Sequence, residues 1–167
     1  GRNVWLKRED LQAVFSFKIR GAANRMAALT EAEQARGVCA ASAGNHAQGI
    51  AKAAAFYGIE AVIFMPVTTP PIKIAAVQAS GASTRLVGDT YDDACAAALA
   101  YAESSGAVFI HPFDEVDVIA GQGTVGKEIF EDAARPVAAI YVCTGGGGLV
   151  SGIGTYARVN SPNTKIF

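Results

Sequence analysis

The sequence is poor in several things that would point toward common functions. It has no excess of charge of one sign: 14 Lys and Arg stand against 15 Asp and Glu. Without a basic excess, neither nucleic acid nor an anionic membrane is expected as a partner. No apolar run approaches the roughly 18 residues needed to cross a bilayer. Cysteine is scarce: Cys39, Cys95 and Cys143 are odd in number and widely spaced, with no CxxC pair. That spacing excludes a disulfide framework or a zinc site of the usual kinds and leaves small buried thiols in a reducing compartment. No cluster of His, Cys and acidic residues calls for a metal. No signal peptide or transit segment is visible, and a cytoplasmic location is the expectation. The chain starts without Met and stops at Lys165-Ile166-Phe167, as a strand opens; it reads as a fragment cut at both ends, which leaves a targeting signal open.

What is present is an apolar half, 51% of 167 residues, arranged in alternating short and long segments. Strands are expected at Val4–Lys7, Val38–Ala41, Ala61–Met65, Thr84–Val87, Val108–Ile110, Ala138–Cys143 and Lys165–Phe167. Helices are expected at Ile19–Leu29, Asn45–Tyr57, Pro71–Ala79, Tyr91–Ser104, Val118–Ala133 and Leu149–Arg158. Thr90 before Asp92 and Asp93 is a helix cap followed by acids. Gly58, Gly81 and Gly106 fall where a left-handed residue ends a helix. Runs such as Ala61-Val62-Ile63-Phe64-Met65 are apolar at every position, as in parallel strands buried on both faces. Strand–helix alternation implies an α/β fold of parallel sheets, with ligands beyond the carboxyl ends of the strands.

Three segments fall at such ends. Ser16-Phe17-Lys18-Ile19-Arg20-Gly21-Ala22 places a lysine at a helix start. An ordinary solvated lysine and an amine used for imine chemistry both fit, since a desolvated lysine has a lowered pKa. Ala41-Ser42-Ala43-Gly44-Asn45-His46-Ala47-Gln48-Gly49 runs from strand into helix, either as a capped turn or as a carboxylate site built from helix-start N–H groups. Thr144-Gly145-Gly146-Gly147-Gly148 links a strand to a helix. Four glycines let the backbone approach a ligand closely and form an anion nest. No Gly-Lys-Ser/Thr follows, so this is not a P-loop, and the flanking pattern is not that of a dinucleotide fingerprint.

In this order, and with Leu6-Lys7-Arg8-Glu9-Asp10-Leu11-Gln12 and Val118-Ile119-Ala120-Gly121-Gln122-Gly123-Thr124, the segments resemble the fold-type II (tryptophan synthase β-like) pyridoxal 5'-phosphate (PLP) enzymes. Within that family they are most similar to the threonine dehydratases (threonine ammonia-lyases). The resemblance covers nearly the whole chain. It implies a small α/β domain at 38–115 and an incomplete large PLP-binding domain at 1–37 and 116–167. It implies that Lys18 is the catalytic Schiff-base lysine, that Phe17 packs by the cofactor ring, and that Asn45 bonds its 3′ oxygen. Gly145, Gly146, Gly147, Gly148 and Leu149 would cradle the phosphate. Ser42, Ala43, Gly44, Asn45 and His46 would surround the substrate carboxylate. A partner for the pyridine nitrogen would lie beyond Phe167, and dimers or tetramers are expected by resemblance.

The implied reaction is elimination of water and ammonia from L-threonine, giving 2-oxobutyrate, and also from L-serine, giving pyruvate. An isoleucine-pathway role rests on closeness of motif. Racemases of this branch carry serine where this chain has Ala43, so elimination without efficient racemisation is expected. The rivals are a serine racemase or serine-preferring dehydratase of the same family, an anion-binding module using the glycine run, and an inactive truncated fragment.

Overall fold

The computed structural model describes residues 3–167. After an extended segment and a 3₁₀ turn at Glu9–Leu11, the order is α1 (Lys18–Ala27), α2 (Glu31–Arg36), β1 (Val38–Ala41), α3 (Asn45–Tyr57), β2 (Ala61–Met65), α4 (Pro71–Ala79), β3 (Ser83–Leu86) and α5 (Tyr91–Ser105). Then come β4 (Val108–Phe109), α6 (Val116–Asp132), β5 (Ala139–Ile140), α7 (Gly148–Asn160) and β6 (Lys165–Ile166). All strand pairs are parallel, in a four-stranded sheet of order β3-β2-β1-β4 and a two-stranded sheet β5-β6.

The continuous apolar strands are explained by burial on both faces. Val38 and Ala40 of β1, with Ile63 and Met65 of β2, join a core with α3 and with Met26 of α1 and Val118 of α6. The alternate residues Cys39, Ala41 and Phe64 face the other way, onto Ala94 and Ala98 of α5. The period-two alternation of side chains thus serves two apolar layers at once.

The strand order fixes where a ligand can sit. From β1 the chain moves outward through β2 to β3, then returns on α5 to place β4 on the other side of β1. The loops leaving β1 and β4 therefore diverge, opening a crevice at the carboxyl ends of those two strands. Ser42–Gly44 leaves β1 there, and His111–Glu115 leaves β4.

Helices α1, α6 and α7 form a layer held together by glycines. A Cβ on Gly121 of α6 would lie 2.6 Å from the Arg20 carbonyl oxygen and 2.6 Å from the Gly21 Cα of α1. A Cβ on Gly152 of α7 would lie 2.5 Å from the Ile119 carbonyl oxygen and 2.6 Å from the Gly123 nitrogen of α6. Only a missing side chain allows such backbone-to-backbone approach. The buried Gln122 accepts the Gly21 N–H at 3.2 Å across the first of these crossings.

Two expected strands are corrected, one helix is new, and of the three thiols expected to be buried only Cys39 is, Cys143 being exposed. Val4–Lys7 forms no strand: among the described residues it has no ladder partner, and Val4, Trp5 and Leu6 are exposed. Lys7 instead ties the segment to α6 through Glu128 at 2.8 Å and Asp132 at 2.9 Å. The expected strand Ala138–Cys143 shortens to Ala139–Ile140, because β6, its one neighbour among the described residues, pairs over two residues. Helix α2 was not expected from its polar sequence. Thr30 starts it with a capping box, in which the Thr30 hydroxyl accepts the Glu33 N–H and the Glu33 carboxylate accepts the Thr30 N–H.

Candidate active site

Lys18 is the first residue of α1, and the packing of that helix aims it. A Cβ on Gly49 of α3 would lie 3.2 Å from the Lys18 carbonyl carbon, so α3 abuts the start of α1 at the backbone. The Lys18 ammonium donates to the Pro112 carbonyl oxygen at 2.6 Å, and its Nζ lies 5.4 Å from the centre of the Phe17 ring. Burial pushes the Lys18 pKa below its ordinary value. A half-buried amine with one carbonyl partner and, among the described residues, no carboxylate bonded to it is a poor place for a permanent cation.

The neighbouring basic residue is quite different. Arg20 pairs with Glu9 at 2.7 Å and with Glu128 at 2.6 Å, and these carboxylates hold its guanidinium firmly charged. Arg20 is thus occupied in joining the first segment, α1 and α6, and Lys18 is left to the cleft.

The glycine run follows β5 and opens α7, with Gly147 as the N-cap in the left-handed region at φ +89°. It faces Lys18 across a cleft of about 330 Å³ lined by Phe17, Lys18, Phe113 and the stretch Cys143–Val150. The four glycines are not equivalent. A Cβ on Gly146 would lie 2.6 Å from Cδ2 of Phe113, and nearer still to Cγ and Cδ1. One on Gly148 would lie 2.8 Å from the Phe113 carbonyl oxygen. At Gly145 and Gly147 nothing stands within 4 Å. The first pair makes room for Phe113, and the second faces open space. Phe17 and Leu149 also pack together on the buried Val125, Ile140 and Ile153, which ties the two sides of the cleft to one core.

The Ser42–His46 loop lies at the crevice between β1 and β4. Ser42 continues the ladder, its N–H donating to the Phe64 carbonyl at 3.0 Å, and its hydroxyl accepts the Gly44 N–H at 3.1 Å. Asn45 opens α3 and is exposed, and space above Gly44 is open. Ala43 is half-buried. His46 turns inward: it is buried, and its Nε2 is 3.0 Å from the Ile110 carbonyl oxygen. Burial, with smaller contributions from Lys18 and His111, pushes its pKa down to about 4, against the raising effect of the Ile110 bond. Its ring is a neutral core group rather than a cleft cation. Asn45 and the Ser42–Gly44 turn are not among the residues lining the cleft around Lys18 and the glycine run.

Sequence reasoning missed Pro112 and Phe113. Their loop closes on both the amine and the glycine run. The signal that could have found it is the strand order, which places the β4 loop beside the β1 loop. Two wider observations complete the picture. Among the described residues no group of three or more His, Cys, Asp or Glu side chains is placed to hold a metal. Among them, too, no helix is long and apolar enough to cross a membrane.

Known proteins are similar to this chain in sequence and fold. The chain is 57% identical over 166 residues to threonine dehydratase 1 biosynthetic, chloroplastic, of Solanum lycopersicum, covering 99% of this chain and 27% of that protein. It is 50% identical to the L-threonine ammonia-lyase of Thermotoga maritima, covering 99% of this chain and 41% of that one. The structure of the processed form of threonine deaminase isoform 2 from Solanum lycopersicum superposes with a TM-score of 0.93 at 49% identity, over 96% of this chain and 44% of that chain. Maize serine racemase superposes with a TM-score of 0.91 at 35% identity, over 95% and 48%. The chain therefore spans less than half the length of each of these relatives. The family described as pyridoxal-phosphate dependent enzyme matches residues 1–167 from end to end, and with these relatives it shows that the chain belongs to the pyridoxal-phosphate dependent enzymes of fold type II.

Proposed function

We propose that the protein eliminates water and ammonia from L-threonine, and also accepts L-serine, using PLP held by Lys18. The observation that carries this reading is the pairing, in one cleft, of a desolvated amine with a glycine cradle at the start of α7. The names of the relatives, threonine dehydratase and threonine ammonia-lyase, supply the substrate.

The residues present fit the cofactor. An aldehyde needs an amine that is easily deprotonated, and Lys18 is lowered in pKa by burial. A phosphate needs N–H groups and room, and the helix start at Gly147 and Gly148 supplies the first while open space over Gly145 and Gly147 supplies the second. When bound, PLP supplies the electron sink for the pair left at the substrate Cα.

The protein's part is positioning and proton transfer. Lys18 would hold the cofactor's aldehyde carbon and, once freed by the substrate amine, would take the Cα proton as general base. The Ser42–Asn45 turn would hold the substrate carboxylate with its hydroxyl, amide and helix-start N–H groups. Phe17, packed beside the Lys18 amine, would shield the reacting face from water. Loss of the β-hydroxyl as water, then of ammonia on hydrolysis, completes the net change from threonine to 2-oxobutyrate. A division into 38–115 and a second unit of 1–37 with 116–167, and assembly into a homo-oligomer, belong to the same proposal.

The test is PLP reconstitution of the full chain, borohydride reduction and peptide mapping, with threonine turnover measured in parallel. An adduct on Lys18 with release of 2-oxobutyrate is the expected result. A folded sample that carries no adduct on Lys18 refutes the reading.

A further inference from the structure

The His111–Glu115 loop between β4 and α6 touches both ends of the cleft within two residues. The Pro112 carbonyl accepts the Lys18 ammonium at 2.6 Å. The next residue, Phe113, lays its ring on the site that a Gly146 side chain would occupy and its backbone on that of Gly148. The loop is heavily braced. His111 Nδ1 accepts the N–H of Asp114 at 2.8 Å and that of Phe113 at 3.3 Å. The Glu115 carboxylate accepts the His111 N–H at 2.9 Å and is also bonded by the Arg25 guanidinium from α1. A loop cross-linked in this way holds Phe113 in one place.

From these contacts we propose that Phe113 is a positioning residue for the anion cradle. Its ring, seated against Gly146, fixes the path of the glycine run and hence the direction of its N–H groups. Gly146 and Gly148 are then glycines because Phe113 presses on them, Gly147 because its backbone is left-handed, and Gly145 because the ligand comes there. Phe113 itself forms no bond in the reaction. Its effect reaches the cofactor through the backbone it supports, so it acts on the phosphate end of the cleft and not on the amine chemistry. The inference rests on the proposed PLP reading and deepens it by separating the two ends of the site.

The experiment compares PLP with pyridoxal, which has the aldehyde and lacks the phosphate, in the full chain. For Phe113→Ala, affinity for PLP falls about tenfold or more while affinity for pyridoxal changes by less than about twofold, as expected when donors aimed at one charge lose alignment. Phe113→Tyr restores PLP binding. Gly146→Ala displaces the ring from the other side and gives the same selective loss. The double variant Phe113→Ala with Gly146→Ala is milder than the two losses combined, because removing the ring makes room for the new Cβ. Equal losses of PLP and pyridoxal, or no loss of PLP, would overturn the assignment. Should Phe113→Ala fail to fold, Phe113→Leu and Gly146→Ala carry the same comparison. A wild-type chain that forms no adduct on Lys18 refutes the PLP reading alone. Inorganic phosphate titrated by ³¹P NMR against wild type and Phe113→Leu then decides the role of Phe113, and equal affinities would overturn it.

Discussion

The Lys18 ammonium and the Pro112 carbonyl oxygen, far apart in sequence, are 2.6 Å apart in the fold, and burial lowers the pKa of that amine. In the ligand-free protein, the rate at which Lys18 reacts with an amine-directed reagent should rise with pH about a midpoint below 10.5, the ordinary lysine value. Peptide mapping across a pH series checks this. A midpoint at the ordinary value would mean that burial does not perturb the amine.

Gly145 and Gly147 should separate ligand effects from folding effects. Gly145 lies in no left-handed region and has nothing within 4 Å, so Gly145→Ala should fold with unchanged stability yet bind PLP more weakly. Gly147 has φ +89°, and Gly147→Ala should cost about 1–2 kcal/mol of stability as well. Thermal melts of the ligand-free variants, paired with cofactor titrations, distinguish the two. Full PLP affinity in Gly145→Ala would show that no ligand passes close to that residue.

The glycine crossings predict a larger loss. Gly152→Ala sets a Cβ against the backbone of Ile119 and Gly123, neither of which is a side chain that can rotate away. Overpacking of this kind costs roughly 1–3 kcal/mol. Gly154 is on the same helix with nothing within 4 Å, and Gly154→Ala should be neutral or slightly stabilising. Chemical denaturation of both variants tests the contrast.

Glu128 carries a pH dependence. Its bonds to Arg20, then Lys7, hold its carboxyl down at about 2 against an ordinary 4.5. Because the folded pKa is the lower one, its stabilising contribution is complete above 4.5 and is lost as the pH falls through about 2. The stability difference between wild type and Glu128→Gln should therefore be constant near neutrality and shrink in that acid window. Glu128 is 40% exposed, so solvent screening keeps the difference modest. A difference that persisted unchanged through the window would contradict the pairing.

In the proposed reaction Ala43 would bear on stereochemistry. With a methyl group there, no side chain at that position can deliver a proton to the face of Cα opposite a lysine base. L-serine should yield pyruvate with little D-serine, and Ala43→Ser should increase D-serine formation. Chiral chromatography of the products checks both statements, and substantial D-serine from the wild type would refute the first.

The local elements were legible because their signals are local. Asn45–Tyr57 and Pro71–Ala79 are helices over the ranges read from sequence, bounded by Gly58 in the left-handed region and by Pro70 and Pro71 at the start. Lys18 and the glycine run, noted from residue type, line one cleft with Phe17 and Leu149, which only the family resemblance implied. Val4–Lys7 misled because an apolar run shows its own preference and not whether a partner strand lies beside it. His46 shows the same limit: its ring is buried against the Ile110 carbonyl, a long-range contact without a sequence signature. Phe113 was invisible for that reason too, since its meaning comes from Gly146, which meets it only in the folded chain.

The distance along the chain between the amine and the cradle has a kinetic consequence. Lys18 opens the first helix, while the glycine run opens the last, and the two meet only once α6 has bridged α1 and α7. Contacts of such wide sequence separation form late, since loop closure must come before any of them adds stability. During synthesis the amine thus leaves the ribosome well before an anion site exists to capture the cofactor. Cofactor uptake would then report the docking of α7: in a refolding experiment, the rise of PLP absorbance should lag behind the recovery of helical signal and coincide with that docking.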